Sequence, residues 1–157
     1  MPSSTDSYFE YRTPYGLITI SSSDDALTGI ALGSAAFEGR HAPSALTNEC
    51  ANQLLEYFAG RRSEFSLPYV LQGTDFQRQV WEAATLIPYG QTRTPSDIAE
   101  AIGQPSSYRM VSQAVSKNPL VIVVPAHRIV PSNGMESSNT ENAKLRAAFR
   151  EMERRYA

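Results

Sequence analysis

The chain has 157 residues, with 14 Lys+Arg against 16 Asp+Glu, a net charge of −2 and a single cysteine, Cys50. Its 41% hydrophobic and 19% charged content is typical of a folded globular protein and excludes an intrinsically disordered chain. No apolar run approaches the roughly 20 residues that cross a bilayer, and one cysteine excludes an intramolecular disulfide framework and a multi-cysteine zinc site.

The first third of the sequence predicts a small antiparallel sheet followed by one helix. Residues 1–6 lack the basic and apolar segments of a secretory signal, which favours a cytoplasmic protein. Turn residues separate three apolar-rich runs, which predict strands at residues 8–13, 17–22 and 27–32. Residues 33–43 then predict a loop. Apolar side chains at helical spacing follow and predict a helix that ends at Gly60; they are Leu46, Cys50, Leu54, Tyr57 and Phe58.

The middle of the chain predicts a link between two domains and then a helix. Residues 61–73 have an extended pattern and contain Pro68, so we place the domain boundary between residues 68 and 69. Thr74, with Gln77 three residues later, is a capping-box signal for a helix. The apolar side chains of this helix recur at helical spacing: Phe76, Val80, Ala83, Ala84 and Ile87.

Two short helices joined by a Gly-Gln-Pro-Ser turn follow and predict a helix-turn-helix. Thr94 before Pro95 begins the first helix, and Ser106 or Ser107 begins the second, which continues to about residue 116. The second helix has an apolar face of Tyr108, Val111 and Val115, and a polar face of Arg109, Ser112, Gln113 and Ser116. The polar face suits a DNA groove, although a solvated surface gives the same pattern.

Charge is distributed unevenly along the sequence. Residues 1–68 carry four basic and eight acidic side chains, whereas residues 69–157 carry ten basic and eight acidic ones. The 35 residues between Glu100 and Glu136 contain no acidic side chain. An acid-free stretch in an acidic protein is typical of a surface that faces an anion, and chance in a chain of low charge is the alternative.

The last part of the chain combines a buried segment, a polar loop and a final helix. The apolar run at residues 120–124 predicts a short buried strand or an extended core segment, which leads directly into His127 and Arg128 at the edge of the core. A histidine at this position serves either a functional site or the structure alone. Residues 131–140 predict a loop. Residues 141–156 predict a helix whose buried stripe is Leu145, Phe149, Met152 and Tyr156.

Five motifs between residues 74 and 130 carry a resemblance to one family. They are Thr-Asp-Phe-Gln-Arg-Gln-Val-Trp at 74–81, Ile-Pro-Tyr-Gly-Gln-Thr-Arg at 87–93, Asp-Ile-Ala at 97–99, Asn-Pro at 118–119 and Val-Pro-Ala-His-Arg-Ile-Val at 124–130. Together they resemble the DNA alkyltransferases that repair guanine alkylated at O6. The resemblance implies an α+β fold, in which a small N-terminal ribonuclease-H-like β-sheet/helix domain (residues 1–68) precedes a mainly helical domain with a helix-turn-helix (residues 69–157). It implies neither a metal nor a cofactor.

One departure from this family removes the residue that carries out its alkyl transfer. The family's Pro-Cys-His-Arg motif supplies the thiolate that takes the alkyl group, and this sequence has Ala126 in place of the cysteine. An alanine side chain has no nucleophilic atom, and Cys50 lies on the predicted apolar stripe of another helix. We therefore expect no catalytic residue. The residues that match the family's activating network are His127, Asn118 and, by register with Lys144, Glu151, and we expect them to form a buried polar cluster.

The resemblance retains the DNA-binding parts of the family. Arg109 matches the arginine that enters the duplex and fills the gap left by a flipped nucleotide, and the helix at 107–116 matches the one that the family places in the minor groove. The implied DNA-binding residues are Thr94, Pro95, Ser107, Arg109, Ser112, Gln113, Ser116 and Arg128. The implied lesion pocket consists of Tyr108, Val115, Pro125 and Ala126. Two further departures are Pro95, where the family usually has Tyr, and a loop at 134–142 that lacks the family's glycines and tyrosine.

These observations predict a monomeric protein that does not associate with a membrane. It would bind alkylated duplex DNA by base flipping and would not transfer the alkyl group. It would mark the lesion for another pathway, with nucleotide-excision repair proteins as the next partners. This function corresponds to an alkyltransferase-like branch of the family, with Ala in place of Cys. One alternative is a methyltransferase seen as an inactive variant. The other is a DNA-binding or partner-binding module whose lesion pocket has decayed.

Overall fold

The structure, a computed structural model, describes residues 6–131 and 140–157. The chain divides into two compact units, Met1–Gln72 with Pro119–Val121 and Gly73–Asn118 with Ile122–Ala157. The units divide within the predicted link at residues 61–73, four residues beyond the boundary expected after residue 68. The reason is backbone pairing, because Leu27 N donates to Pro68 O (2.9 Å) and Val70 N donates to Leu27 O (3.1 Å).

The first unit contains a four-stranded sheet, with strands β1 (Ser7–Thr13), β2 (Gly16–Ser22), β3 (Leu27–Leu32) and β4 (Arg40–His41). The strand order is β3-β2-β1-β4, with β1, β2 and β3 antiparallel as a meander and β4 parallel to β1. The predicted loop at 33–43 thus includes a short strand, which the sequence pattern missed because two residues have no periodicity.

One helix, α1 (Ala45–Phe58), packs on this sheet. It begins with a capping box between Ser44 and Thr47, and it ends before Gly60, whose φ of +74° is available to glycine at little cost. The predicted apolar stripe is confirmed, since Cys50, Leu54, Tyr57 and Phe58 are all buried. The core of the first unit lies between this stripe and β2.

The second unit is helical, with helices α2 (Asp75–Thr85), α3 (Pro95–Ala101), α4 (Tyr108–Ser116) and α5 (Glu141–Tyr156), and two 3₁₀ turns, Pro105–Ser107 and Ala126–Arg128. The capping box predicted for α2 is present, and Thr94 caps α3 with Pro95 in the first helical position. The buried indole of Trp81 in α2 donates to Ala114 O in α4 at 2.9 Å. No helix among the described residues is long and apolar enough to cross a membrane.

The helices α3 and α4 form the predicted helix-turn-helix. Gly103 follows α3 with φ of +77°, and Gln104 N donates back to Ala99 O at 2.8 Å, which closes the helix end. The expectation that Ser106 or Ser107 caps α4 is wrong. Ser107 has φ −96° and ψ 21°, and no side chain caps this end, because α4 continues from a 3₁₀ turn.

The apolar run at 120–124 is buried as predicted, but a turn at residues 122 and 123 interrupts it, so it forms no continuous strand or extended segment. Leu120 pairs with Ile30 of β3, and the chain then turns at Ile122, which has φ of +76°. A β-branched residue in this left-handed region is strained by about 1–3 kcal/mol. Ile122 is only 1% exposed, so its burial offsets the strain, and the turn directs the chain into the Pro-Ala-His-Arg segment.

Candidate functional site

A buried cluster of three ionisable side chains lies at the Pro-Ala-His-Arg segment. Glu153 of α5 accepts from His127 Nε2 through Oε2 at 2.6 Å. The same carboxylate binds Arg128 bidentately, with Nε to Oε1 at 2.8 Å and Nη2 to Oε2 at 3.1 Å. Glu153 is 1% exposed and both partners are buried. One carboxylate therefore holds two consecutive residues of the motif.

Backbone groups complete the coordination of this cluster. The turn after α2 contributes both a donor and an acceptor, since Gly90 N donates to Glu153 Oε1 at 3.1 Å and Arg128 Nη1 donates to Ile87 O at 2.7 Å. The Arg128 guanidinium also lies 5.6 Å from the centre of the Tyr89 ring. These contacts make the cluster a junction of α5, the 3₁₀ turn Ala126–Arg128 and the turn that follows α2.

Burial sets the protonation of His127. Desolvation lowers the pKa of His127 below its usual 6.5, against the raising effect of the hydrogen bond to Glu153, and the Arg128 and Arg150 charges lower it further. The imidazole is therefore neutral at neutral pH. Because the carboxylate can only accept, Nε2 carries the proton and donates it to Glu153.

Ala126 precedes this cluster and is 2% exposed. Its backbone N–H donates to Val124 O at 2.8 Å, and the Asn118 side chain donates to the same carbonyl at 2.8 Å. The methyl group of Ala126 can supply no nucleophile. The one cysteine of the chain, Cys50, is fully buried in the first unit, where desolvation raises the pKa of its thiol to about 12. A thiol in this environment is an inert apolar group.

A second segment pairs directly with the motif. Arg93 N donates to Arg128 O at 2.9 Å, and Val130 N donates to Arg93 O at 2.9 Å. This short parallel pairing fixes the start of α3, so that Thr94 and Pro95 follow directly from a residue bound to the motif. Thr94, Pro95 and Ser107 are half-buried.

The polar face of α4 is exposed as predicted. Its members are Arg109, Ser112, Gln113 and Ser116. The two serine hydroxyls donate back to their own helix, Ser112 to Tyr108 O and Ser116 to Gln113 O. The guanidinium of Arg109 is thus the single charged group on this face.

Two profiles of one family match almost the whole chain. The first, described as 6-O-methylguanine DNA methyltransferase, ribonuclease-like domain, matches residues 7–71, and the second, the DNA-binding domain of the same family, matches residues 75–155. The chain belongs to the 6-O-methylguanine DNA methyltransferase family. The α+β fold expected from the sequence is confirmed by this match.

Full-length relatives support the assignment. A methylated-DNA–protein-cysteine methyltransferase of Mycolicibacterium paratuberculosis is 36% identical over 156 residues, covering 94% of each chain, and the constitutive one of Bacillus subtilis is 38% identical over 146 residues, covering 85% of this chain and 88% of the relative. The solved structure of the Mycobacterium tuberculosis O6-methylguanine methyltransferase matches this chain with a TM-score of 0.89 at 33% sequence identity. The match covers 97% of this chain and 94% of that one. The same enzyme solved in complex with DNA has a TM-score of 0.88.

In this member of the methyltransferase family, the prediction that Glu151 partners His127 is wrong. Glu151 is exposed and pairs with Arg154, whereas Glu153 binds His127. The helical period of α5 already distinguishes the two glutamates. Glu153 follows Phe149 by four residues and therefore lies on the buried stripe, while Glu151 lies about 200° from Phe149 on the opposite face.

Three other expectations for individual residues are also corrected. Arg128, expected to contact DNA, is buried with its guanidinium bound to Glu153 and Ile87 O, so it stabilises the fold. Tyr108, expected in the core, is 44% exposed, because Val111 and Ala114 form the buried face of α4, and its place in the lesion pocket stays a prediction. Tyr156 is exposed as well, at the end of α5.

The remaining members of the expected lesion pocket are only partly described. Pro125 and Ala126 are buried, and Val115 is half-buried. Residues 132–139, which hold most of the predicted pocket loop at 134–142, lie outside the described residues. Its last residues form the start of α5, where Thr140 Oγ1 accepts from Ala143 N at 3.2 Å.

We expect Glu153→Gln to destabilise the second unit by about 3–5 kcal/mol, because it leaves the buried Arg128 without its charged partner. The matched control is Glu151→Gln, which removes an exposed charge two residues away and should change stability by less than about 0.5 kcal/mol. Urea unfolding followed by the fluorescence of Trp81, the single tryptophan, measures both. Equal effects of the two variants would contradict the assignment of Glu153.

Stability should also decrease as the pH falls below about 6.5. The lowered pKa of His127 means that the unfolded chain binds a proton which the folded chain does not, so the stabilisation is complete above pH 6.5 and is lost toward the folded pKa. The slope reaches at most about 1.4 kcal/mol per pH unit. The urea midpoint should depend less on pH across this range in His127→Gln than in the wild-type chain. A slope that His127→Gln leaves unchanged would assign the dependence to other groups.

Proposed function

We propose that this chain binds duplex DNA containing O6-alkylguanine, takes the modified nucleotide out of the base stack and does not transfer the alkyl group. The observation that carries the proposal is Ala126, the residue that stands where the family's motif has its cysteine. The curated relatives are named for transfer to a protein cysteine. This chain keeps the surroundings of that residue and lacks the sulfur.

The proposal of DNA binding is supported by helix α4 and its surroundings. Arg109 projects from an exposed face of small polar side chains, and the 35 residues from 101 to 135 hold no acidic group that would repel phosphate. The M. tuberculosis relative has been solved in complex with DNA. Small side chains allow the close approach of a helix to a groove, and one arginine suits insertion into the stack.

The absence of transfer follows from nucleophile chemistry. Accepting an alkyl group from O6 of guanine requires an electron pair on a thiolate or an equally strong nucleophile. Ala126 has none, and the thiol of Cys50 is fully buried with its pKa raised to about 12. His127, which would serve a neighbouring thiol, is instead part of the cluster with Glu153 and Arg128 that maintains the shape of the motif.

Two consequences follow for the lesion and for the next step of repair. A methyl group at residue 126 is smaller than a CH₂SH group, so we propose that the pocket admits alkyl groups bulkier than methyl. A protein that binds a lesion and leaves it chemically unchanged must hand it to another activity. We therefore propose that the bound complex marks the site for proteins of an excision pathway, and that the chain acts as a monomer.

A DNA-binding module without a lesion pocket is the second candidate, and Pro95 favours it. The family usually has Tyr at this position, and Pro95, the first residue of α3, offers neither a hydroxyl nor an N–H to a target phosphate. The two functions differ in one measurable quantity, the ratio of affinities for alkylated and plain duplexes.

We expect the wild-type chain to bind a duplex with one O6-methylguanine more tightly than the same duplex with guanine, and to gain no methyl mass. Fluorescence anisotropy measures the first and intact-protein mass spectrometry after prolonged incubation measures the second. Cys50→Ala is the matched control, because it has no cysteine at all and should behave identically. Stoichiometric methylation that disappears in Cys50→Ala would overturn the proposal in favour of transfer, and equal affinity for the two duplexes would favour the second candidate.

Arg109→Ala should weaken binding to the methylguanine duplex by about tenfold or more and binding to the plain duplex by less, because the flipped state loses the side chain that fills the gap. The control is Arg155→Ala, which removes another exposed positive charge, at the end of α5, and should affect both duplexes little. Equal losses of affinity on both duplexes in Arg109→Ala would count against base flipping.

A further inference from the structure

We propose that Tyr108 is a positioning residue for Arg109, an inference that rests on the proposed function. The Arg109 guanidinium carbon lies 5.9 Å from the centre of the Tyr108 ring, within the range of a cation–π contact. Tyr108 was expected in the core from its spacing with Val111, and its 44% exposure places the ring at the surface beside the arginine.

The helix geometry explains why the ring and the guanidinium meet. Successive residues are about 100° apart around a helix, so Tyr108 lies at the border between the buried face and the polar face, one step from Arg109. Ser112, one turn later, projects between these two directions. Its small side chain donates back to Tyr108 O at 3.3 Å. The next turn of α4 therefore places no bulky side chain between the aromatic ring and the guanidinium.

This contact matters because an exposed arginine has high conformational entropy. Ordering a free arginine side chain at an interface costs conformational entropy, because the side chain has many rotamers. The Tyr108 ring restricts the guanidinium to the exposed edge of α4 before DNA is bound. Tyr108 thereby reduces the cost of placing Arg109 in the duplex, and it need not contact the DNA itself.

A double-mutant cycle tests this role. Anisotropy is measured with the methylguanine duplex and with its guanine counterpart for the wild-type chain, Tyr108→Leu, Tyr108→Phe, Arg109→Ala and the double variant Tyr108→Leu/Arg109→Ala. Tyr108→Leu should weaken binding by about 2- to 5-fold, the size of an exposed cation–π contact. Tyr108→Phe should restore the affinity, because it keeps the ring face, and Tyr108→Leu should have no further effect once Arg109 is absent.

A matched control separates this role from general effects. Tyr156 is 49% exposed and follows Arg155 at the end of α5, so Tyr156→Leu removes a comparable tyrosine next to an arginine and should leave binding unchanged. Thermal melts of each variant report whether the fold is intact. A structural role for Tyr108 would lower the melting temperature and would not depend on Arg109.

The outcomes distinguish this inference from the proposed function. The lesion preference of the wild-type chain tests the proposed function, and the coupling between Tyr108 and Arg109 is measured on each duplex separately. If the wild type binds both duplexes equally, the proposed function fails, and coupling on the guanine duplex still supports the positioning role. Independent effects of the two substitutions on both duplexes, or no effect of Tyr108→Leu, would overturn it.

Discussion

The fold of the second unit depends on the hydrogen bonds and ion pairs made by the buried carboxylate of Glu153. The carboxylate accepts from His127 and Arg128, which are adjacent in sequence, and from the backbone of Gly90. A buried charge is tolerated only when it is paired and fully hydrogen-bonded. The cluster therefore fixes the 3₁₀ turn Ala126–Arg128, α5 and the turn after α2 in one arrangement, whether or not a nucleophile is present.

This constraint explains how the Pro-Ala-His-Arg segment keeps its shape with an alanine at residue 126. The hydrogen bonds that Glu153 makes to His127, Arg128 and Gly90 do not involve the side chain of Ala126. Burial holds His127 neutral, with its proton directed to Glu153. The histidine of the motif thus has a structural role that does not depend on alkyl transfer, and this is consistent with a chain that binds a lesion without acting on it.

The exposed face of α4 is built on a different principle from the cluster. The inner face of helix α4 is held by the indole of Trp81, which donates to Ala114 O, and by the buried side chain of Val111. Its outer face has one charged group among small side chains, with an aromatic ring beside it. A helix whose inner face is held by packing and whose outer face carries few, mostly small side chains suits a close approach to DNA. The affinity for DNA would thus come from few side chains, which makes it sensitive to single substitutions.

The sequence by itself determined the helices, the N-caps of α2 and α3, the hairpin and the absence of a nucleophile at residue 126, because these depend on local periodicity and on the identity of single side chains. It contains the helical period that places Glu153 on the buried face and Glu151 on the opposite face, but the register with Lys144 predicted Glu151 as the partner of His127. It also missed the turn at Ile122 and the exposure of Tyr108. Only the tertiary structure decided these, because burial depends on which neighbouring element covers a side chain, and buried charges are paired by distance in space.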